Sequence, residues 1–178
     1  MSRLEASDVI STCSHPHLVF MYGTLKSTEP NHHHLFAKGP QGAQFVGHAR
    51  TVAKYPLLVT TPFNIPFLLH KEGTGHRIIG ELYRLDDETM AYVDWFEDHP
   101  NWYQRRQVPV ELFTDKMENS TTPLTVTCWM YGLHRFKDSL LELPLVEAYY
   151  DKNRELGKRY KPYNMGRDEP LCQYLFDD

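Results

Sequence analysis

The stretch "VFMYGTLKS", residues 19–27, decides how this chain is read. The run from Leu18 to Tyr22 is apolar and rich in residues that suit a pleated surface, so it reads as a buried strand that stops at Gly23. Glycine tolerates backbone angles closed to other residues, and successive amides in such a turn can aim their N–H groups into one concavity. A strand that ends on such a turn is a device for holding an anion or an oxyanion.

Downstream, Pro30 is placed to open a short helix, and "AQFVGHARTV" (43–52) reads as strand. "YPLLVTT" (55–61) and "NIPFLLH" (64–70) are β-prone, but each carries a proline, which restricts those positions to edges, bulges or strand starts. The Ile65–Pro66 bond is a candidate cis peptide. "EGTGH" (72–76) reads as a turn joining the preceding strand, hairpin fashion, to "RIIGELYRL" (77–85). The best-marked helix is "DDETMAYVDWFE" (86–97), with Asp86 or Asp87 as N-cap, more acid in its first turn and Pro100 beyond its end. "WYQRRQVPVELF" (102–113) and "LTVTCWMYGL" (124–133) read as two long strands joined by a polar connection, and a second helix is expected around 138–150. Residues 1–16 read as a flexible leader, 17–168 as the folded domain and 169–178 as a tail that docks by its aromatics or frays. Several strands around one strong helix give an α+β class, with a curled or barrel-like mixed sheet.

That helix carries the second clue. Met90, Val93 and Phe96 follow helical spacing, and Glu97 stands four residues after Val93 on the same stripe. An inward carboxylate is short of water, which favours its neutral form and raises its pKa toward the range of a general acid and base. The alternative is that Glu97 merely marks a solvated helix end. Glu81 is the rival acid, sharing a strand face with Ile79 and Tyr83, whereas Asp94 and Asp98 are expected to be solvated or capping. Tyr22, Tyr103 and Tyr131 either orient a ligand or belong to the core.

The bulk properties exclude several functions. With 178 residues the chain is long enough for one sizeable core. Its 19 Lys and Arg against 23 Asp and Glu give a formal charge of -4, so there is no basic excess for nucleic acid. No apolar run approaches a membrane span, and the N-terminus lacks a signal pattern, so a cytosolic location is expected. Cys13, Cys128 and Cys172 support neither a disulfide framework nor a metal site. "HHH" (32–34) reads as a solvated run, because adjacent histidines do not share a face, and "GTGHR" (73–77) is too short for a phosphate loop. No metal and no cofactor is expected, and the chain is expected to be a monomer.

The strand ending in "YGTLK" and the helix ending in "DWFE", together with "YPLLV", "NIPFLLH", "YQR" and the late "RYKPYN", resemble the gamma-glutamyl cyclotransferase-like superfamily over roughly residues 18–168. The resemblance is closer to its AIG2-like, gamma-glutamylamine cyclotransferase branch. It implies a small mixed β-barrel with flanking helices, that Tyr22, Gly23, Thr24 and Leu25 line a gamma-glutamyl site and that Glu97 is the proton-transferring carboxylate. It also implies a small-molecule substrate, epsilon-(gamma-glutamyl)-lysine, cleaved to 5-oxoproline and lysine during breakdown of transglutaminase cross-links. Action on gamma-glutamyl amino acids or glutathione is the alternative, and a non-catalytic ligand-binding module the second. This chain departs from the pattern at Trp95, where a relative can carry Asp.

Overall fold

A computed structural model describes residues 14–113, 123–153, 156–164, 168 and 170–177; the expected leader through residue 13, with Cys13, and the polar connection at 114–122 lie outside them. Five strands close into a mixed barrel in the order β1 (His17–Met21), β5 (His76–Leu85), β2 (Ala43–Tyr55), β6 (Tyr103–Leu112) and β7 (Leu124–Leu133). Neighbours are antiparallel except where β1 meets β7, at Val19 opposite Trp129. This is the α+β barrel with flanking helices that the resemblance implies, and it agrees with the curled mixed sheet that the strand pattern predicts.

The reason the opening strand is apolar on both faces is visible in its packing. Phe20 points into the barrel with Ala49, Leu82, Val110 and Met130. Val19 and Met21 point outward and are covered by Leu35, Met90 and Val93. Burying each such side chain is worth about 1.5–3 kcal/mol, so β1 is pinned from two sides before its turn begins. The cover comes from a 3-10 turn at His32–Phe36 and from helix α1 (Asp87–Phe96), whose Asp86 N-cap accepts from the Thr89 amide at 2.7 Å. A third cluster, including Leu58, Phe67, Leu133, Leu140, Leu171 and Leu175, packs a separate hairpin and the short helix α2 (Cys172–Leu175) against the barrel end.

Three expectations are corrected. The strand at 64–70 does not pair with 77–85: β3 (Leu57–Thr60) and β4 (Ile65–Leu68) form their own two-stranded sheet, while β5 pairs with β1 and β2. Pro66 has no N–H to donate, which confines β4 to an edge, and among the described residues its ladder partner is β3. Among the described residues the cis bond is at His99–Pro100, not at Ile65–Pro66. In place of a second helix at 138–150 there is a single 3-10 turn, Asp138–Glu142, which stops as Leu143 turns extended (φ -73°, ψ 155°). Pro144 follows, and the residue before a proline is pushed out of the helical region. The chain then runs extended, its Val146 amide donating to the Leu57 carbonyl. Among the described residues no helix is long and apolar enough to cross a membrane.

Candidate active site

A pocket of about 280 Å³ opens beside the end of β1. Tyr22, Gly23, Thr24 and Leu25 form one wall, and Phe96 and Glu97, at the end of α1, form another. Tyr103 and Tyr131 close it from β6 and β7, Ile65 and Pro66 from the edge strand, and Asn31, Tyr160 and Tyr163 complete it. Tyr22, Gly23, Thr24, Leu25 and Glu97 therefore line one cavity together with Tyr103 and Tyr131, whereas the rival acid Glu81 does not.

The turn after β1 is closed by the Lys26 amide donating to Gly23 O at 3.2 Å and the Asn31 amide donating to Thr24 O at 2.9 Å. Leu25 O takes the ring Nδ1 of His32 at 2.9 Å. The carbonyls of the turn are thus occupied, and among the described residues no group accepts from the amides of Gly23, Thr24 or Leu25. Gly23 does not adopt the left-handed angles that glycine alone visits freely. It is small for a different reason: a Cβ there would stand 3.1 Å from Pro66 Cγ. Glu81, the rival acid, is committed to holding the far side of this loop. It accepts from the Ser27 amide at 2.7 Å, the Ser27 hydroxyl and the Tyr83 hydroxyl at 2.8 Å, and it does not line the pocket.

Glu97 caps α1, its amide donating to Val93 O at 2.9 Å. Its side chain keeps the partial exposure of a pocket wall, yet the protein packed around the carboxyl displaces enough water to raise its pKa to about 8. Desolvation is the whole cause, for among the described residues no cation or hydrogen-bond donor meets this carboxylate. Tyr22 and Tyr103 are pushed well above the ordinary phenol value by burial and then by the nearby Glu97 charge or each other, so both are neutral O–H groups. Tyr103 spends its hydroxyl on Pro66 O at 3.3 Å.

Asp94 is neither solvated nor capping. It accepts from Arg105 Nε at 2.8 Å, Arg105 Nη2 at 3.2 Å and the Tyr131 hydroxyl at 2.6 Å, tying α1 to β6 and β7 one turn before Glu97. The Arg105 guanidinium in turn lies 4.5 Å from the Trp129 ring centre. Trp95 points away, 71% exposed. The triple histidine is not a solvated run either: His32 bonds the turn, and His34 packs 4.4 Å from the Phe96 ring and bonds the Tyr92 hydroxyl at 2.7 Å. Among the described residues no group of three or more His, Cys, Asp or Glu is placed to hold a metal. The wall residues Asn31, Ile65, Pro66, Tyr160 and Tyr163 escape a reading by spacing, although the "RYKPYN" stretch that holds two of them stands out in the sequence.

A family model described as "Gamma-glutamyl cyclotransferase, AIG2-like" matches residues 19–152. The chain belongs to this family. It is 37% identical over 148 residues to the gamma-glutamylaminecyclotransferase of Homo sapiens, a match that covers 82% of this chain and 96% of that protein. It is likewise 37% identical over 143 residues to gamma-glutamylaminecyclotransferase B of Danio rerio, covering 80% and 72%. The fold agrees with the crystal structure of an AIG2-like protein from Mus musculus, at 34% identity and a TM-score of 0.71 over 83% of this chain and 96% of that one. The AIG2-like cyclotransferase match takes in both the turn at 23–25 and Glu97, while Tyr160 and Tyr163 lie past its end.

Proposed function

We propose that this chain is a gamma-glutamylamine cyclotransferase that converts epsilon-(gamma-L-glutamyl)-L-lysine to 5-oxo-L-proline and free L-lysine in the cytosol, contributing to breakdown of transglutaminase cross-links. The observation that carries the proposal is the Glu97 carboxylate sharing a pocket with the amides of Gly23, Thr24 and Leu25, all without a hydrogen-bond partner among the described residues. The names of the relatives support the amine as leaving group.

The substrate supplies its own nucleophile. Its α-amine attacks its γ-carbonyl carbon, the C–N bond of the five-membered ring forms, and the bond to the lysine nitrogen breaks; water is neither added nor lost. Holding one molecule folded in this way supplies an effective molarity on the order of 10⁵–10⁸ M. Two protons must pass from the α-nitrogen to the leaving nitrogen. The Glu97 carboxylate takes the first from the α-ammonium and gives it to the lysine nitrogen as the tetrahedral adduct collapses. The second follows as the ring nitrogen sheds its positive charge, and Glu97 ends as it began. A pKa of about 8 suits a group that must do both near neutral pH. The oxyanion of the adduct is held by the amides at 23–25, each such donor lowering the barrier by about 3 kcal/mol.

The test is to incubate the purified chain with the isopeptide and with glutathione, and to measure 5-oxoproline and free lysine. Turnover of the isopeptide in preference to glutathione is expected, and Glu97→Gln lowers it by about 10³-fold while leaving isopeptide binding intact. Failure of the wild-type chain to release lysine, or preference for glutathione, contradicts the assignment.

A further inference from the structure

Asn31 is 9% exposed, lines the pocket, and is not needed by the chemistry above. Its backbone is fully spent: the amide donates to Thr24 O at 2.9 Å and the carbonyl accepts from the His34 amide at 3.0 Å. One end of its side chain is spent as well, since Nδ2 donates to Thr24 Oγ1 at 3.0 Å and to the Tyr160 hydroxyl at 3.1 Å. Both amide hydrogens are thereby used and the side chain cannot rotate. The other end, Oδ1, takes no bond among the described residues and is not sealed from the pocket that Asn31 lines, so it is available to accept from a donor that enters there.

We propose that Asn31 Oδ1 accepts an N–H from the α-amine of the glutamyl group and so orients the nucleophile. This rests on the cyclotransferase reading. The chemistry explains why a neutral acceptor is used. A second carboxylate here would stabilise the ammonium form, which cannot attack, whereas an amide oxygen holds one N–H of the neutral amine and leaves its lone pair free for the γ-carbonyl. The anchor is supplied from a distant part of the chain. Tyr160 is set by its own amide, which donates to Asp151 Oδ1 at 2.6 Å, and the Asp151 amide donates to Glu29 Oε2 at 3.0 Å, two residues before Asn31. Asp151 and Tyr160 thus close a loop of hydrogen bonds onto the Asn31 amide and act as its clamp.

The prediction separates recognition of the amine from recognition of the rest of the substrate. Binding of three probes to the Glu97→Gln protein is compared with and without Asn31→Leu: the isopeptide, glutaryl-lysine, which lacks the α-amine, and 4-aminobutanoyl-lysine, which lacks the α-carboxylate. Asn31→Leu weakens the isopeptide and 4-aminobutanoyl-lysine by roughly 10-fold and leaves glutaryl-lysine within 2-fold. Tyr160→Phe, which frees the amide without emptying the site, gives a smaller loss on the same two probes, and in the active enzyme it lowers kcat more than it raises KM. Equal loss on all three probes, or loss confined to glutaryl-lysine, overturns the assignment of Oδ1 to the amine. Because these are binding measurements, they stand apart from the turnover assay: a chain that binds the probes in this order but releases no lysine sinks the proposed reaction and leaves the amine site.

Discussion

Glu97 has an unusual balance of forces for a carboxylate. It shares the pocket with Tyr22, Tyr103 and Tyr131, all of which are kept neutral, while Arg105, the cation that reaches its helix from β6, is spent on Asp94. The folded state therefore holds the Glu97 proton more tightly than the unfolded chain, with a pKa of about 8 against an ordinary value of 4.5. Such a group stabilises the fold when protonated; that contribution is complete below about pH 4.5 and is lost as the pH rises through about 8. Glutamine mimics the protonated acid at every pH. Glu97→Gln is accordingly expected to melt with the wild type near pH 4.5 and a few degrees above it at pH 9, in thermal denaturation followed at both pH values. Equal melting temperatures at pH 9 would mean that the folded protein does not strain this ionisation. Gly23 poses a steric question at the same scale. Gly23→Ala must push on the Pro66 ring 3.1 Å away, and is expected to cost activity through displacement of the amides. Adding Pro66→Ala, which removes the obstacle, should restore part of kcat; no restoration would place the cost elsewhere.

At the scale of the element, α1 is the part that spacing and capping disclose best. Its apolar stripe, the Asp86 cap and the acidic first turn are all local features, and local features are what a sequence displays. The role of Asp94 is not local. Its partners Arg105 and Tyr131 lie 11 and 37 residues away on two different strands, so nothing in the helix distinguishes it from a solvated aspartate. Its task is to lock the last turn of α1 against the barrel and with it the direction of Glu97. Asp94→Ala is expected to lower stability by about 2 kcal/mol, as charge-assisted bonds of this kind do, and to lower kcat as Glu97 loses its fixed position. Denaturant unfolding and turnover on the same variant check the pair; an unchanged midpoint would show the cluster to be decorative. The edge sheet was hidden for the same reason as Asp94. Whether "NIPFLLH" joins β5 or β3 depends on long-range pairing, and the proline argument restricts it to an edge without naming the partner.

The whole molecule works as a frame that brings remote segments to one cavity. The barrel fixes β1, β6 and β7, the edge sheet supplies Ile65 and Pro66, and the stretch at 160–163 supplies two tyrosines. The α+β class, the strand that opens near residue 18 and the pairing of the two long strands were legible because each is written in alternation and turn residues, whereas the closed barrel came from the resemblance. The far wall was not, because Tyr160 and Tyr163 sit in irregular chain with no period to betray which way they face. The assembled pocket offers one carboxylate and no cluster of ligands for a metal among the described residues, so turnover is expected to survive dialysis against a chelator unchanged; lost activity restored by a divalent ion would require another mechanism. What the frame achieves chemically is to keep a single carboxylate partly dry and without a counterion. That is measured most directly by carbon-13 NMR of protein labelled at the glutamate side-chain carboxyls, with Glu97→Gln assigning the resonance. The structure predicts that this carbon titrates near pH 8, well apart from the bulk glutamates; titration near 4.5 would contradict it and remove the basis for the proposed proton shuttle.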